Sequence, residues 1–486
     1  MITRPSRLTS IEVITALSGK PPPASTVPTI EIRSAVVDSR LATPGCLFIA
    51  LRGERYDGHG FIPQAIANGA IVIIAERPPA LEGGQSLDIE NLRTRRFGDS
   101  FCLIVPDSLT ALQQIAAYWR RQHDVQVLGV TGSVGKTTSK EVIAAVVKQR
   151  YCTLKSEGNY NNEIGLPLTL LHLTAAHERV VLEMGMYDVG EIAQLADIAL
   201  PQVGVVTNVG PTHLERLGTI ERIAQTKAEL PRALPPADQG GVAILNADDE
   251  RVRAMAAQTR ARVFTYGLRP DADLWADEIE SRGLKGIHLR LHYGQETLHA
   301  QAPLLGRHSV HTALCAAAVG LVEEMSWEEI IAGLQDQFGQ LRLVAVPGTA
   351  GSIILDDTYN ASPTSCLAAL NLLDELDGRK IAVLGDMYEL GPYEEEGHRL
   401  VGRRARDVVD LLVSVGSLAH IIGEEALKAG MAAEAVHLVE TNLQVIDLIQ
   451  KLAQPGDIIL VKGSRGMKME GIVAALAQSE VERDPS

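Results

Sequence analysis

Hydrophobic residues along this chain of 486 residues fall into two rhythms. VQVLGV, RVVLEMG, QVGVVTNVG, GVAILNADD and ARVFTYG are apolar at nearly every position and then stop at Gly, Asn or Asp. Between them lie stretches whose apolar residues recur three and four apart, such as Ile143, Ala144, Val146 and Val147. The first rhythm predicts strands covered on both faces, the second helices packed against them. Strand and helix in alternation specify a mostly parallel sheet, here over about 106–337.

The two ends of the chain repeat the theme on a smaller scale. Leu8, Ile11, Val13, Ile14 and Leu17 make the apolar stripe of a short helix, followed by SAVVDSR, LFIAL and AIVIIAE alternating with turn residues. Residues 1–105 thus read as a small α/β domain. The segment 78–99, polar and rich in Gly and Arg, is expected to be an inserted surface loop. From 338 to 486, IILDD, KIAVLGD, LLVSVG and DIILVKG are short buried strands, each followed by helix-like sequence, which predicts a Rossmann-like domain. The fold class is therefore α/β in three domains, 1–105, 106–337 and 338–486. The length agrees, because single cores stop growing at roughly 250–300 residues. Hinges near 106 and 338 suggest a site that domain closure assembles.

Composition narrows the function. With 46% hydrophobic and 22% charged residues the chain is an ordinary globular protein. A formal charge of −15 argues against a general nucleic-acid binder, which needs a basic face for the phosphate backbone. The five cysteines are widely spread, odd in number and free of any C-x-x-C pair, which fits a reducing cytoplasm. MITRPSRLTSIEVITALSGK has no apolar leader core, and no stretch approaches the roughly 18 apolar residues of a membrane span. A cytoplasmic monomer is expected.

The densest chemistry lies in VTGSVGKTTSKE, 130–141. A strand, a glycine turn and a helix start aim backbone N–H groups and a helix N-terminus at one point, which is how proteins bind phosphate. Residues Thr131, Gly132, Ser133, Val134, Gly135, Lys136, Thr137 and Thr138 would surround phosphates, with Lys136 as a point charge on the outer ones and the Thr137 hydroxyl facing magnesium. The general G-x-x-x-x-G-K-[ST] loop needs glycine where Val130 stands, and G-x-G-x-x-G is also absent, so a dinucleotide site loses its fingerprint.

Other candidates cluster at strand ends. Glu183, closing RVVLEMG, is placed like a magnesium-binding acid, though a strand-end Glu also caps helices. His213 and Lys227 lie in TNVGPTHLERLGTIERIAQTKAEL; from composition alone each reads better as a surface residue, but a lysine among Ile223, Ala224 and Ala228 could instead be partly desolvated, its neutral amine able to capture carbon dioxide as a carbamate. HSVH, 308–311, with Cys315 four residues on, has loose and incomplete metal spacing. NADD, 246–249, reads as a strand-end turn with an even chance of nucleotide contact. In LDDTYNASP, 355–363, Asp357 suits ribose hydroxyls and Tyr359 a base, with Arg342 reaching phosphate across the hinge. Lys462 and Arg465 of KGSRG suit a carboxylate.

TGSVGKTTSKE, GNYNNEIGLPLTLL, EMGM followed by GEI, TNVGPTHLERLGTIERIAQTKAEL, DDTYNASP, VLGDMYELG and VKGSRGMKMEG, in this order, resemble the Mur ligase family. The N-terminal DSR and LFIALRGERYDGHGF resemble its UDP-sugar-binding domain. DDTYNASP and KGSRG resemble the members that join D-Ala-D-Ala to UDP-N-acetylmuramoyl-tripeptide through an acyl phosphate. The resemblance implies ATP and Mg2+, metal ligands Thr137, Glu183, His213 and a carbamylated Lys227, and ATP contacts from Arg342, Asp357 and Tyr359. It implies muramoyl-peptide contacts at Asp38, Ser39, Arg40, Asn161 and Asn162, and dipeptide contacts at Lys462 and Arg465. Ser309 and Thr312 replace asparagines that the family usually carries, and Ser362 a third. The rival readings are a sister ligase adding a single amino acid, a cyanophycin-type ligase, a P-loop ATPase without an acceptor, and an inactive scaffold.

Overall fold

The computed structural model describes residues 7–23, 27–53, 56–79, 85–89, 92–97, 99–336 and 343–478. Its strands form three sheets, of six, nine and six strands. In the central sheet the strands run Thr153–Lys155, Arg179–Glu183, Gln126–Thr131, Val203–Val206, Val242–Asn246, Arg262–Gly267 and Leu274–Ser281, all parallel. Ile287–Tyr293 and Glu296–Ala302 then extend it antiparallel. Apolar residues at successive positions serve both faces: Val127 joins one core cluster while Leu128 and Val130 join the opposite one.

The five central strands read from the sequence are present. The antiparallel extension was not read, although IHLRLHY alternates apolar and polar residues as a half-buried strand does. The N-terminal sheet holds a correction. Instead of an inserted loop over 78–99, Gln85–Ile89 and Leu92–Phe97 form a hairpin that pairs antiparallel with Ser100–Ile104. At a sheet edge the backbone ladder suffices, so polar residues are tolerated and the strand signal is weak.

Helix Ser108–Arg121 welds this sheet to the central one. Trp119 is fully buried and its indole N–H donates to the Leu173 carbonyl at 3.1 Å. Arg120 donates to the carbonyls of Ala199 and Val125, so its buried guanidinium leaves no orphan on that side. Burying an aromatic of this size is worth about 3–5 kcal/mol against alanine.

The third sheet runs Val344–Pro347, Ile353–Asp357, Ile458–Lys462, Lys380–Gly385, Leu411–Val415 and Val436–Val439, parallel except for its first strand. Leu355, Leu384 and Leu460 fill one core, Ile354, Val383 and Ile459 the other. The carboxyl ends of its strands and of the central sheet's strands contribute to one cavity, where open α/β sheets place their ligands.

Candidate functional site

The glycine loop begins at Thr131, the last residue of a central strand, whose hydroxyl donates to the Met184 carbonyl at 2.8 Å. Gly132 has φ +154°, and a Cβ there would lie 1.9 Å from the Thr207 hydroxyl, so the turn admits only glycine. Ser133 and Val134 donate their N–H groups to the backbone and side-chain oxygens of Asn208, both at 2.9 Å. Gly135, at φ +83°, then opens helix Lys136–Val147. The Lys136 amine donates to the carbonyls of Gly132 at 2.9 Å and Ser133 at 3.2 Å, folding over the loop that carries it.

Behind the loop, the Thr137 hydroxyl donates to Glu183 Oε2 at 2.6 Å, and the Asn161 amide donates to Glu183 Oε1 at 2.8 Å. Glu183 is completely buried, and among the described residues no cation pairs with it. A carboxylate buried against a hydroxyl and an amide, with no counter-ion, fits a divalent cation supplied from outside. Asn162 takes a different part: its Oδ1 accepts at 2.9 Å from the N–H of Gly165, the first residue of helix Gly165–Leu170. Lys140, also fully buried, donates to Ser156 O at 2.7 Å and ties the segment before Asn161 to the P-loop helix.

Lys227 is 1% exposed. Burial, and then the charge of Lys136, hold its amine well below the ordinary lysine range. No hydrogen bond or ion pair of this amine occurs among the described residues, and Lys227 is not among the residues that line the cavity. His213 begins helix Leu214–Leu217 with a left-handed backbone, and its Nδ1 lies 2.7 Å from Glu389 Oε2 on the third sheet's side.

On that side the Lys462 amine, 1% exposed, donates to Asp357 Oδ2 at 2.7 Å and to the Asn360 carbonyl at 2.9 Å. The two residues that were expected to meet ribose and dipeptide thus hold each other. Arg465 lies over the Tyr359 ring, 5.3 Å from its centroid, and donates to the Tyr359 hydroxyl at 3.3 Å. His308 is held down to a pKa of about 4, chiefly by burial and further by the charges of His311 and Lys462. His311 meets Asp248 at 2.8 Å, and Cys315 is buried with its thiol pushed up to about 12. The NADD turn is likewise engaged: Asn246 donates to Thr207 O, and Asp249 caps helix Glu250–Arg253.

A cavity of about 420 Å³ joins these groups. Ser133, Val134, Gly135, Lys136, Thr138, Asn161, Asn162, Glu183 and His213 line it from the central sheet, and Asp357, Tyr359, Lys462 and Arg465 from the third. Ser309 and Thr312 also line it. Asp38, Ser39 and Arg40 do not reach it. They form a turn of the N-terminal unit in which Asp38 accepts from Arg40 N–H at 2.9 Å and pairs with its guanidinium. Arg342 lies outside the described residues.

Profiles of three domains match the chain: "Mur ligase family, catalytic domain" over 31–120, "Mur ligase middle domain" over 130–320, and "Mur ligase, glutamate ligase domain" over 341–465. A UDP-N-acetylmuramoyl-tripeptide–D-alanyl-D-alanine ligase of Bacillus subtilis (strain 168) is 37% identical over 92% of this chain and 94% of its own. The chain belongs to the Mur ligase family.

Solved Mur ligases share the architecture. MurF from Acinetobacter baumannii superposes with a TM-score of 0.82 at 32% identity, covering 97% of this chain and 99% of its own. MurF ligase from Thermotoga maritima, solved in complex with ADP, gives 0.75 at 27% identity over 91% and 96%. In this Mur ligase the residues that sequence reasoning left without a role include Tyr187 and Glu389, which line the cavity, and the buried Lys140. Glu389 stands in VLGDMYELG; its partner His213 is 176 residues away in sequence, a contact no spacing rule reveals.

Proposed function

We propose that the protein is an ATP-dependent amide ligase that joins D-Ala-D-Ala to UDP-N-acetylmuramoyl-tripeptide, giving the pentapeptide precursor of peptidoglycan. The observation that carries this reading is the double lining of one cavity, with Lys136 and Glu183 on one wall and Tyr359 and Arg465 on the other. The names of the relatives supply the substrate class. No helix among the described residues is long and apolar enough to cross a membrane. In this reading the protein works on nucleotide-linked precursors in the cytoplasm, as a monomer.

In this reading residues 1–105 hold the UDP sugar through Asp38, Ser39 and Arg40, 106–337 hold ATP, and 338–486 bring the dipeptide. The terminal carboxylate of the tripeptide attacks the γ-phosphorus of ATP, and the bond to the bridging oxygen breaks, its electron pair leaving with ADP. The neutral amine of D-Ala-D-Ala then attacks the acyl carbon, phosphate departs with the electrons of the C–O bond, and the nitrogen releases one proton to the departing phosphate or solvent. Lys136 stabilises charge on the migrating phosphoryl group. Residues 131–138 cradle the phosphates, Asn161 and Asn162 face the peptide, Arg342, Asp357 and Tyr359 serve the nucleotide, and Arg465, backed by Lys462, takes the dipeptide carboxylate. Magnesium, when bound, neutralises phosphate charge. Thr137, Glu183, His213 and Lys227 as its carbamate would hold it, and the depressed amine of Lys227 suits capture of carbon dioxide. Enclosure between two sheets keeps water from the acyl phosphate.

The test is phosphate release with ATP, Mg2+, UDP-N-acetylmuramoyl-tripeptide and D-Ala-D-Ala, omitting each in turn. The reading expects release only with all four present. Release without the dipeptide, or with a single amino acid in its place, would move the assignment to a plain ATPase or to a sister ligase.

A further inference from the structure

His213 stands where a loop of the central sheet touches a loop of the third. Its φ is +58° and that of Glu389 is +64°, two non-glycine residues in the left-handed region. Such conformations cost about 1 kcal/mol or more each and persist only where the surroundings impose them. Here the surroundings are each other. The Glu215 N–H donates to the Glu389 carbonyl at 3.4 Å. A Cβ added at Gly391 would come within 3.0 Å of the Glu215 backbone, so the two loops pack main chain to main chain.

Both side chains are then fixed from behind. The Met387 N–H donates to His398 Nε2 at 3.0 Å, and the Tyr388 N–H to Ser464 Oγ at 2.8 Å, which anchors the loop carrying Glu389. Tyr187 meets the His213 ring edge-on, centroids 5.4 Å apart, and Arg216 covers the Tyr187 ring. The result is the 2.7 Å contact from His213 Nδ1 to Glu389 Oε2. An ionised carboxylate only accepts, so Nδ1 carries the proton and the lone pair is left on Nε2, which makes no hydrogen bond among the described residues.

We propose that Glu389 is a positioning residue that couples docking of the third domain to preparation of His213, fixing its tautomer and ring orientation so that Nε2 can take a divalent cation. The inference rests on the ligase reading's placement of His213 at the metal. It gives domain closure a chemical consequence: while the third domain is away, His213 keeps its edge contact with Tyr187 but lacks its carboxylate, so the metal site is complete only over an enclosed cavity. A carboxylate behind a metal-binding histidine raises its basicity and typically accounts for 10–100-fold in metal affinity or activity.

The experiment uses the full chain with a non-hydrolysable ATP analogue and measures Mn2+ affinity by electron paramagnetic resonance, which needs no turnover. Wild type is compared with Glu389→Gln, Glu389→Asn, His213→Ala and the double variant His213→Ala with Glu389→Asn. Asparagine tolerates the left-handed backbone but is too short to reach the imidazole. Glu389→Asn should weaken Mn2+ about 10–100-fold. Glu389→Gln, which keeps an acceptor at the same reach, should weaken it less. In the His213→Ala background Glu389→Asn should add nothing. Undiminished Mn2+ binding by Glu389→Asn, an undiminished effect of that change without His213, or no Mn2+ uptake by wild type would each overturn the proposal. A wild type that binds Mn2+ with the predicted dependence on Glu389 yet forms no conjugate would defeat the ligase reading and leave this coupling intact.

Discussion

The hydroxyl of Thr137 lies 2.6 Å from Oε2 of Glu183, joining the first turn of the P-loop helix to the end of a neighbouring strand in a fully buried contact. Glu183→Gln keeps the size and one acceptor but removes the charge. Turnover should fall at least about 10–100-fold while Tm moves by only a few degrees. Thr137→Val acts differently, because it leaves a buried carboxylate oxygen short of a donor, and should destabilise the fold by about 1–3 kcal/mol. Steady-state kinetics beside thermal unfolding separates the two.

Lys227 makes the opposite trade. Its amine is buried without a hydrogen-bond partner among the described residues, with a like charge at Lys136 as neighbour. Lys227→Met, of similar volume and no charge, should therefore raise Tm while abolishing turnover. Lys227→Ala should lose turnover that short carboxylic acids partly restore, since they supply the oxygens of the missing carbamate. A fully active Lys227→Ala enzyme would refute that role.

Lys462 and Asp357 sit directly across from one another at the ends of two paired strands. Removing only the carboxylate leaves an uncompensated buried ammonium, so Asp357→Ala should cost about 3–5 kcal/mol. Lys462→Met with Asp357→Leu removes both charges and should recover most of that loss. A double-mutant cycle by urea unfolding reads the coupling, and additive effects would show that the pair is not a unit.

Acid should weaken the fold partly through His308. Its folded pKa is about 4 against an ordinary 6.5, so between these values the unfolded chain binds a proton that the folded chain does not. Stability must then fall with falling pH through that window, by up to about 1.4 kcal/mol per pH unit from this group. His308→Leu should flatten the acid limb relative to wild type between pH 6.5 and about 4 and leave it unchanged above about 7.5.

Much of this was legible in the sequence because the patterns that specify it are local. Apolar runs ending in Gly, Asn or Asp marked the central strands, and the spacing from Gly132 to Thr137 marked the phosphate loop within a dozen residues. The edge hairpin of Gln85–Ile89 and Leu92–Phe97 escaped notice because a backbone ladder at a sheet edge needs no apolar run. The pairing of Asp357 with Lys462 spans 105 residues and depends on which strands become neighbours, while Glu389 meets His213 only after two sheets have docked. Periodicity carries no record of either. The long-range contacts decide how the candidate residues are held, and the short-range patterns which residues are candidates.

The most direct test of the central claim labels the tripeptide's terminal carboxylate with heavy oxygen and follows the isotope by mass spectrometry during turnover with ATP, Mg2+ and D-Ala-D-Ala. Ligation through an acyl phosphate transfers one labelled oxygen into each phosphate released and yields one conjugate per phosphate. Unlabelled phosphate, released without conjugate, would mean that water is the acceptor and that the cavity between the two sheets hydrolyses ATP instead of activating a carboxylate.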